Sequence, residues 1–134
     1  METPTTFEEE LVSVCRTGIG DSLRSVILFT ADDWDLCYLR KDLQESEYQL
    51  RQVKEEIVEN ERMGFTSQET YQSLASRAEL GESLGEYGMT IRVFDRGYLG
   101  RVIVGNRGLI ATTDEMNIDA FEDIARAVRK ILAA

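Results

Sequence analysis

The hydrophobic positions at the start of the chain follow the period of an amphipathic helix. Four apolar residues fall on one helical face: Phe7, Leu11, Val14 and Cys15. Thr6 and Glu9 fit a capping box at the start of this helix. Gly18 and Gly20 predict its end, because glycine is common just after the last turn of a helix.

Two short runs rich in branched and aromatic residues come next, at 23–30 and 34–40. The residues between them supply turn chemistry, so the two runs predict a β-hairpin. From 41 to 80 apolar residues recur at helical spacing, and Gly64 interrupts the pattern. The sequence leaves open whether this stretch is one bent helix or two.

The last third of the chain has the clearest pattern. Three strands are predicted at 89–94, 98–104 and 109–113, and the turns between them contain glycine. A final helix follows Asn117, which can cap it. The apolar face of this helix is long: Ile118, Phe121, Ile124, Ala125, Val128, Ile131 and Leu132.

The predicted elements follow the order α-β-β-α(α)-β-β-β-α within a single domain, residues 1–134. Short turns favour antiparallel neighbours, and the helices are the elements that can cover the sheet. We therefore predict an α/β fold of the α+β type, with a five-stranded antiparallel sheet packed with helices. This topology resembles the roadblock/longin (profilin-like) domains. A PAS-like or GAF-like fold, with helices between a strand pair and a strand triplet, is the alternative.

The net charge of −10 changes the expected partners rather than the fold. It argues against general nucleic-acid binding, which needs a basic surface. No apolar run approaches the ~18 residues that can span a bilayer. The N-terminal residues are neither basic nor apolar, unlike those of a signal peptide. We expect a cytoplasmic protein without nucleic-acid or membrane partners.

Lysine is scarce, with Lys41, Lys54 and Lys130 against twelve arginines. An acidic, lysine-poor composition is similar to that of halophilic archaeal proteins, and concentrated salt screens such a charge excess. Three stretches resemble a family of small haloarchaeal proteins without an assigned activity: 23–26, 36–40 and 90–94. This resemblance covers most of the chain but implies no activity, because its motifs are strands.

The chain lacks the residues that most enzymes use. It has no histidine, no phosphate-binding loop and no metal-ligand spacing. Residues 81–85 match G-x-S-x-G, but a nucleophile elbow needs a preceding strand and a histidine base, so we predict a loop. Cys15 and Cys37 are predicted to be structural thiols. The sequence thus predicts no catalytic residue, no metal and no cofactor in a protein that is not an enzyme.

Two arginines and a tryptophan are the candidate contact residues. A two-residue turn at 96–97 places Arg92 and Arg101 opposite each other on neighbouring strands, where like charges need a bridging anion. That anion is either a ligand or acidic partner, or a glutamate of a helix. Alternatively, a three-residue turn offsets the two arginines. Trp34, at the first hairpin turn, either packs on the core or lies in an interface.

The leading functional hypothesis is a non-enzymatic binding, scaffold or regulatory module that acts through protein–protein contacts. Its partner is either itself, as a homodimer, or another protein, because the edges of an open sheet invite pairing. The alternative is a PAS/GAF-like sensor of a small molecule. That alternative requires a pocket of about 300 Å³ or more between the sheet and the helices.

Overall fold

The structure, a computed structural model, describes residues 6–43, 47–77 and 84–134. The helices and strands in these ranges are α1 Phe7–Ile19, β1 Leu23–Phe29, β2 Trp34–Leu39, α2 Glu47–Glu61, α3 Gly64–Ala75, β3 Thr90–Phe94, β4 Gly97–Val104, β5 Arg107–Thr113 and α4 Ile118–Ala133. This is the predicted order, with two central helices in place of one bent helix. Most of the G-x-S-x-G stretch, 81–83, lies outside the described residues. None of the described helices combines the length and apolarity that crossing a membrane requires.

All five strands join one antiparallel sheet in the order β2-β1-β5-β4-β3, which confirms the predicted sheet. The pairing of β1 with β5 joins the N-terminal hairpin to the three C-terminal strands. Ile27 lies opposite Ile110 in this pairing, and both side chains are fully buried. Because the central parts of β1 and β5 are covered on both faces, each contains a short apolar run without polar alternation, at 26–29 and 109–111.

Helices cover both faces of the sheet. On the first face, α1 and α4 pack on a core that includes Leu11, Val26, Val102, Phe121 and Val128. On the second face, α2 and α3 lie over a core that includes Ile27, Phe29, Val58, Leu99, Ile103 and Ile110. The charged groups of the candidate site lie on this second face.

Side-chain caps determine where α1 and α4 begin. Thr6 Oγ1 accepts a hydrogen bond from the backbone N–H of Glu9 at 3.0 Å. Asn117 Oδ1 accepts one from the backbone N–H of Ala120, also at 3.0 Å. The predicted caps at Thr6 and Asn117 are therefore confirmed. Gly20 follows α1 with a φ of +74°, a conformation that favours glycine.

A packing requirement explains the glycine between α2 and α3. A Cβ on Gly64 would lie 2.3 Å from Cδ1 of Ile103 and 2.6 Å from the guanidinium carbon of Arg101. Only a residue without a side chain lets the start of α3 approach β4 so closely. The break in the helical pattern at Gly64 therefore reflects a contact with the sheet.

The β3–β4 hairpin corrects one sequence prediction. Its turn lies at 95–96, one residue earlier than predicted, so the register of the two strands shifts by two. Arg92 pairs with Leu99, and Arg101 pairs with Thr90. The prediction that the two arginines face each other directly is wrong; they are diagonal neighbours on one face of the sheet.

Gly97 is the physical reason for this register. Turn rules place glycine in the turn, but Gly97 is the first residue of β4 and pairs with Phe94. A Cβ on Gly97 would lie 2.6 Å from the carbonyl oxygen of Thr113 in β5. Glycine is required here by a neighbouring strand rather than by the turn.

Candidate functional site

Two arginines and one glutamate form a buried charge cluster beneath the end of α2. Glu61, the last residue of α2, accepts hydrogen bonds from Arg101 Nη1 at 2.8 Å and from Arg92 Nε at 2.7 Å. The side chains of Glu61 and Arg101 are only 2% and 3% exposed. A helix glutamate therefore bridges the arginines, which is one of the two alternatives that the sequence left open.

Sequence analysis named the arginines but missed Glu61. A signal was present, because Glu61 lies four residues after Ile57 and so continues the apolar stripe of α2. A carboxylate in a buried stripe needs charged partners to offset its desolvation. The partners are the diagonal arginines of β3 and β4, which only the strand register brings within reach of one carboxylate.

The cluster carries one positive charge in excess, because two guanidinium groups share one carboxylate. Arg101 Nη2 also donates to Thr90 Oγ1 at 2.9 Å, but a hydroxyl does not neutralise charge. Within the described part of the chain, Arg101 Nε is buried without a hydrogen-bond partner. Arg92 is 35% exposed and brings the excess charge toward solvent. Such an excess attracts anions.

An open groove of about 550 Å³ lies beside this cluster, between α2 and the β3–β4 hairpin. Its apolar lining includes Ile57, Phe94, Tyr98 and Leu99. Three arginines line it as well: Arg24, Arg92 and Arg96. The groove opens to solvent, and its volume is in the range of small-molecule sites.

Arg24 belongs to a second, charge-balanced network at one end of the sheet. Asp114 accepts hydrogen bonds from Arg40 Nη1 and from Arg24 Nη1, the latter at 2.8 Å. Arg40 Nε donates to Asp42 at 2.6 Å. Hydrogen bonds from Arg40 hold the pKa of both aspartates below the usual range. Arg24 adds to this effect at Asp114. Two arginines and two aspartates leave no excess charge here.

Lys54 on α2 is a cation without a carboxylate partner among the residues that the structure describes. Its Nζ donates to Ser25 Oγ at 3.2 Å, and Ser25 Oγ lies 2.5 Å from Thr112 Oγ1. Burial, and then the charge of Arg24, lowers the pKa of the Lys54 ammonium. No carboxylate among the described residues therefore offsets the buried charge of Lys54.

The outer strand β3 presents apolar side chains to solvent. It pairs with β4 on one side only, because it is an edge strand of the sheet. Val93 is 74% exposed and Phe94 is 56% exposed. An edge strand with exposed apolar groups is a template for pairing with another chain.

Trp34 begins β2 and packs on the core of the second face. It is half-buried and packs against the cluster that contains Ile27 and Phe29. The guanidinium carbon of Arg51 lies 5.0 Å from the ring centroid, a cation–π distance. Packing accounts for the position of Trp34, and a role in an interface stays a prediction.

The two cysteines are thiols with raised pKa values. Cys15 and Cys37 are free, and burial raises the pKa of both thiols to about 12. Cys37 Sγ also donates to Glu8 Oε1 at 3.2 Å. No group of three or more cysteine, aspartate or glutamate side chains among the described residues could hold a metal ion.

The sheet order and the two helical layers define a roadblock-like α/β domain. A solved structure described as "MglB with tetrameric arrangement" is similar, with a TM-score of 0.53 and 14% identity over 98% of this chain and 96% of that chain. This likeness confirms the predicted fold and shows the fold alone. The chain belongs to the family described as "Domain of unknown function (DUF7522)", which matches residues 9–133. Among curated proteins, none matches this sequence.

Proposed function

We propose that this protein is a non-enzymatic binding module that acts through protein–protein contacts, and that its first partner is a second copy of itself. The main support is the free edge of β3, where Val93 and Phe94 point apolar side chains into solvent. A second β3 strand can add to this edge through backbone hydrogen bonds. Burial of the exposed apolar groups then stabilises the dimer.

The charge pattern favours β3 over β2, the opposite edge of the sheet. β2 carries an exposed charge at Asp35, and a charge on an edge strand disfavours pairing. The one charged residue of β3, Arg92, turns toward Glu61 beneath α2. Its charge is therefore partly neutralised and does not oppose the approach of a second chain.

A protein of similar fold supports a role in assembly. The similar structure is described as MglB with a tetrameric arrangement, so a chain with this fold can take part in an assembly. The choice of β3 as the contact rests on the residues of this chain and not on that likeness. The resemblance to haloarchaeal proteins stays a prediction, and it is the reason to test assembly in concentrated salt as well.

A binding role is also favoured over catalysis by the chemistry of the side chains. The chain contains no histidine, which is the commonest general acid or base in enzymes. Its two thiols have a pKa raised to about 12, so they carry little thiolate at neutral pH. Protein–protein contacts need neither group.

Sedimentation equilibrium of the full chain, in dilute and in molar salt, tests the proposal. We expect a particle of twice the 15.2 kDa chain mass. Val93→Lys places a charge on the free edge and should give the monomer. Val53→Lys is the matched control, because Val53 is 53% exposed but lies on α2.

Each outcome decides one part of the proposal. A particle of the 15.2 kDa chain mass under both salt conditions would contradict the homodimer. A dimer that survives Val93→Lys but is lost in Val53→Lys would move the contact from the sheet edge to α2. A circular dichroism spectrum of each variant shows whether the fold is retained.

A further inference from the structure

The groove between α2 and the β3–β4 hairpin combines an apolar floor with cationic walls. Ile57 and Leu99 contribute to the floor, and both belong to the core of the second face. The walls carry the guanidinium groups of Arg24, Arg92 and Arg96. In a protein with a net charge of −10, three arginines around one groove are a local reversal of sign.

These arginines have unused capacity for an anion. Arg96 is exposed and has no ion pair among the described residues. The charge of Arg24 is balanced by Asp114, but a single N–H of Arg24 donates there and its other donors remain. Arg92 shares the single carboxylate of Glu61 with a second arginine. The remaining acidic residue of the lining is Glu56, which is exposed. The groove therefore keeps a positive balance.

We propose that this groove binds a small amphipathic anion, a ligand with an apolar body and one carboxylate or phosphate group. The apolar body lies against the floor at Ile57 and Leu99. The oxyanion accepts charge-assisted hydrogen bonds from the guanidinium groups, whose planar N–H donors match carboxylate and phosphate oxygens. The negative charge of the ligand compensates the excess positive charge of the Glu61 cluster.

The surroundings of the groove favour a small ligand over an acidic protein segment. A volume of about 550 Å³ holds a small molecule. A longer acidic segment would extend beyond the groove and meet the exposed carboxylates of Glu55 and Glu59 on α2, which are not part of the lining. Like charges at that surface repel such a segment, whereas a ligand that ends within the groove avoids them.

The proposal goes beyond self-association and does not require it. Phe94 lines the groove and also lies on the free edge of β3, so dimer formation and ligand binding can affect each other. Binding is therefore measured both in the natural chain and in the Val93→Lys variant. The side chain of Val93 is not part of the groove lining.

Methyl NMR titration of the full chain tests the site directly. The probes are octanoate and octyl phosphate, with octanol as the neutral match and acetate as the match in charge alone. We expect octanoate or octyl phosphate to shift the methyl signals of Ile57 and Leu99, and to leave those of Ile124, on the other face, unchanged. Octanol and acetate should bind about tenfold more weakly or not at all.

Two variants assign the charge recognition to this groove. Arg96→Gln should weaken octanoate binding by about tenfold, and Arg24→Gln should do so as well. Arg126→Gln is the matched control, because Arg126 is an exposed arginine of α4. Relative affinities of octanoate and octyl phosphate distinguish a carboxylate ligand from a phosphate ligand.

Several outcomes would overturn the inference. They are no shift with either amphipathic anion, equal binding of octanol, or equal affinities in Arg96→Gln and the natural chain. An acidic peptide that shifts the groove methyls when octanoate does not would also overturn it, in favour of a protein segment. Binding retained in monomeric Val93→Lys supports the groove whatever the fate of the dimer.

Discussion

Glu61 Oε1 and Arg101 Nη1 lie 2.8 Å apart where the last turn of α2 meets strand β4, and both side chains are almost completely buried. The pair connects the second helical layer to the centre of the sheet. It also places Glu61 where Arg92, on the edge strand, can reach the same carboxylate. Glu61 thus connects α2 to β3 and β4 through two ion pairs.

We predict that Glu61→Gln destabilises the protein by about 3–5 kcal/mol, because it leaves buried guanidinium charge without a carboxylate. Arg92→Gln should cost about 1 kcal/mol or less, because Arg92 is partly exposed and Glu61 keeps its partner Arg101. Urea unfolding followed by circular dichroism measures both. Equal costs for the two variants would show that burial of the Glu61–Arg101 pair does not determine its contribution.

The general architecture was predictable because local pattern and long-range packing agree. The apolar face of α4 repeats at helical spacing from Phe121 to Leu132, and the same face packs on the sheet. The continuous run in β1 is buried on both faces, as such runs predict. Capping residues such as Asn117 act within one helical turn, so they also follow from sequence alone.

The candidate site was less predictable because it depends on contacts between distant segments. The glycine of the β3–β4 hairpin was assigned to the turn, but Gly97 is required by the backbone of Thr113 in another strand. This shift of register separates Arg92 from Arg101 and lets Glu61 bridge them. The groove likewise exists only because α2 crosses beside the hairpin.

We predict that Asp114 contributes stability that is lost in acid. Hydrogen bonds from Arg40 and Arg24 lower the pKa of its carboxyl in the folded protein, whereas an unfolded aspartate has a pKa of about 3.9. The stabilisation is therefore complete above about pH 4 and is lost as pH falls through the lower folded pKa. Asp114 is partly exposed, so Asp114→Asn should cost at most about 1 kcal/mol at neutral pH.

Urea midpoints of the natural chain and Asp114→Asn across a pH series measure this effect. The difference between them should shrink as pH falls below about 4. Asp95→Asn is the control, since Asp95 is exposed in a hairpin turn and has no ion pair among the described residues. A difference that is independent of pH would mean that Asp114 acts without its charge.

Lys54, unlike Asp114, should destabilise the folded protein at neutral pH. Burial lowers the pKa of its ammonium in the folded protein, so folding disfavours the charged form. Stability should therefore increase as pH rises through the folded pKa toward the unfolded value of about 10.4. At neutral pH, Lys54→Met should raise the urea midpoint, because the Ser25 hydroxyl keeps its contact with Thr112.

Lys41→Met is the control for loss of charge alone, because Lys41 is exposed. The chain has three lysines, so NMR of the dimethylated protein can follow the titration of each one. A titration of Lys54 at the same pH as Lys41 would contradict the predicted shift. A lower urea midpoint for Lys54→Met than for Lys41→Met would show that the contact with Ser25 outweighs the cost of burial.

Glu8 should control the reactivity of Cys37. Burial raises the pKa of the Cys37 thiol to about 12, and the hydrogen bond and negative charge of Glu8 add to that shift. Glu8→Gln removes the negative charge beside Sγ, so it should lower this pKa and increase the thiolate fraction. Cys37 should then react faster with a disulfide reagent in mildly alkaline buffer, while fully buried Cys15 stays unreactive until the chain unfolds.

Glu10→Gln is the control, because Glu10 is an exposed acid of the same helical turn. Equal acceleration by both substitutions would assign the effect to the net charge of α1, whereas acceleration by Glu8→Gln alone assigns it to the 3.2 Å contact with Cys37.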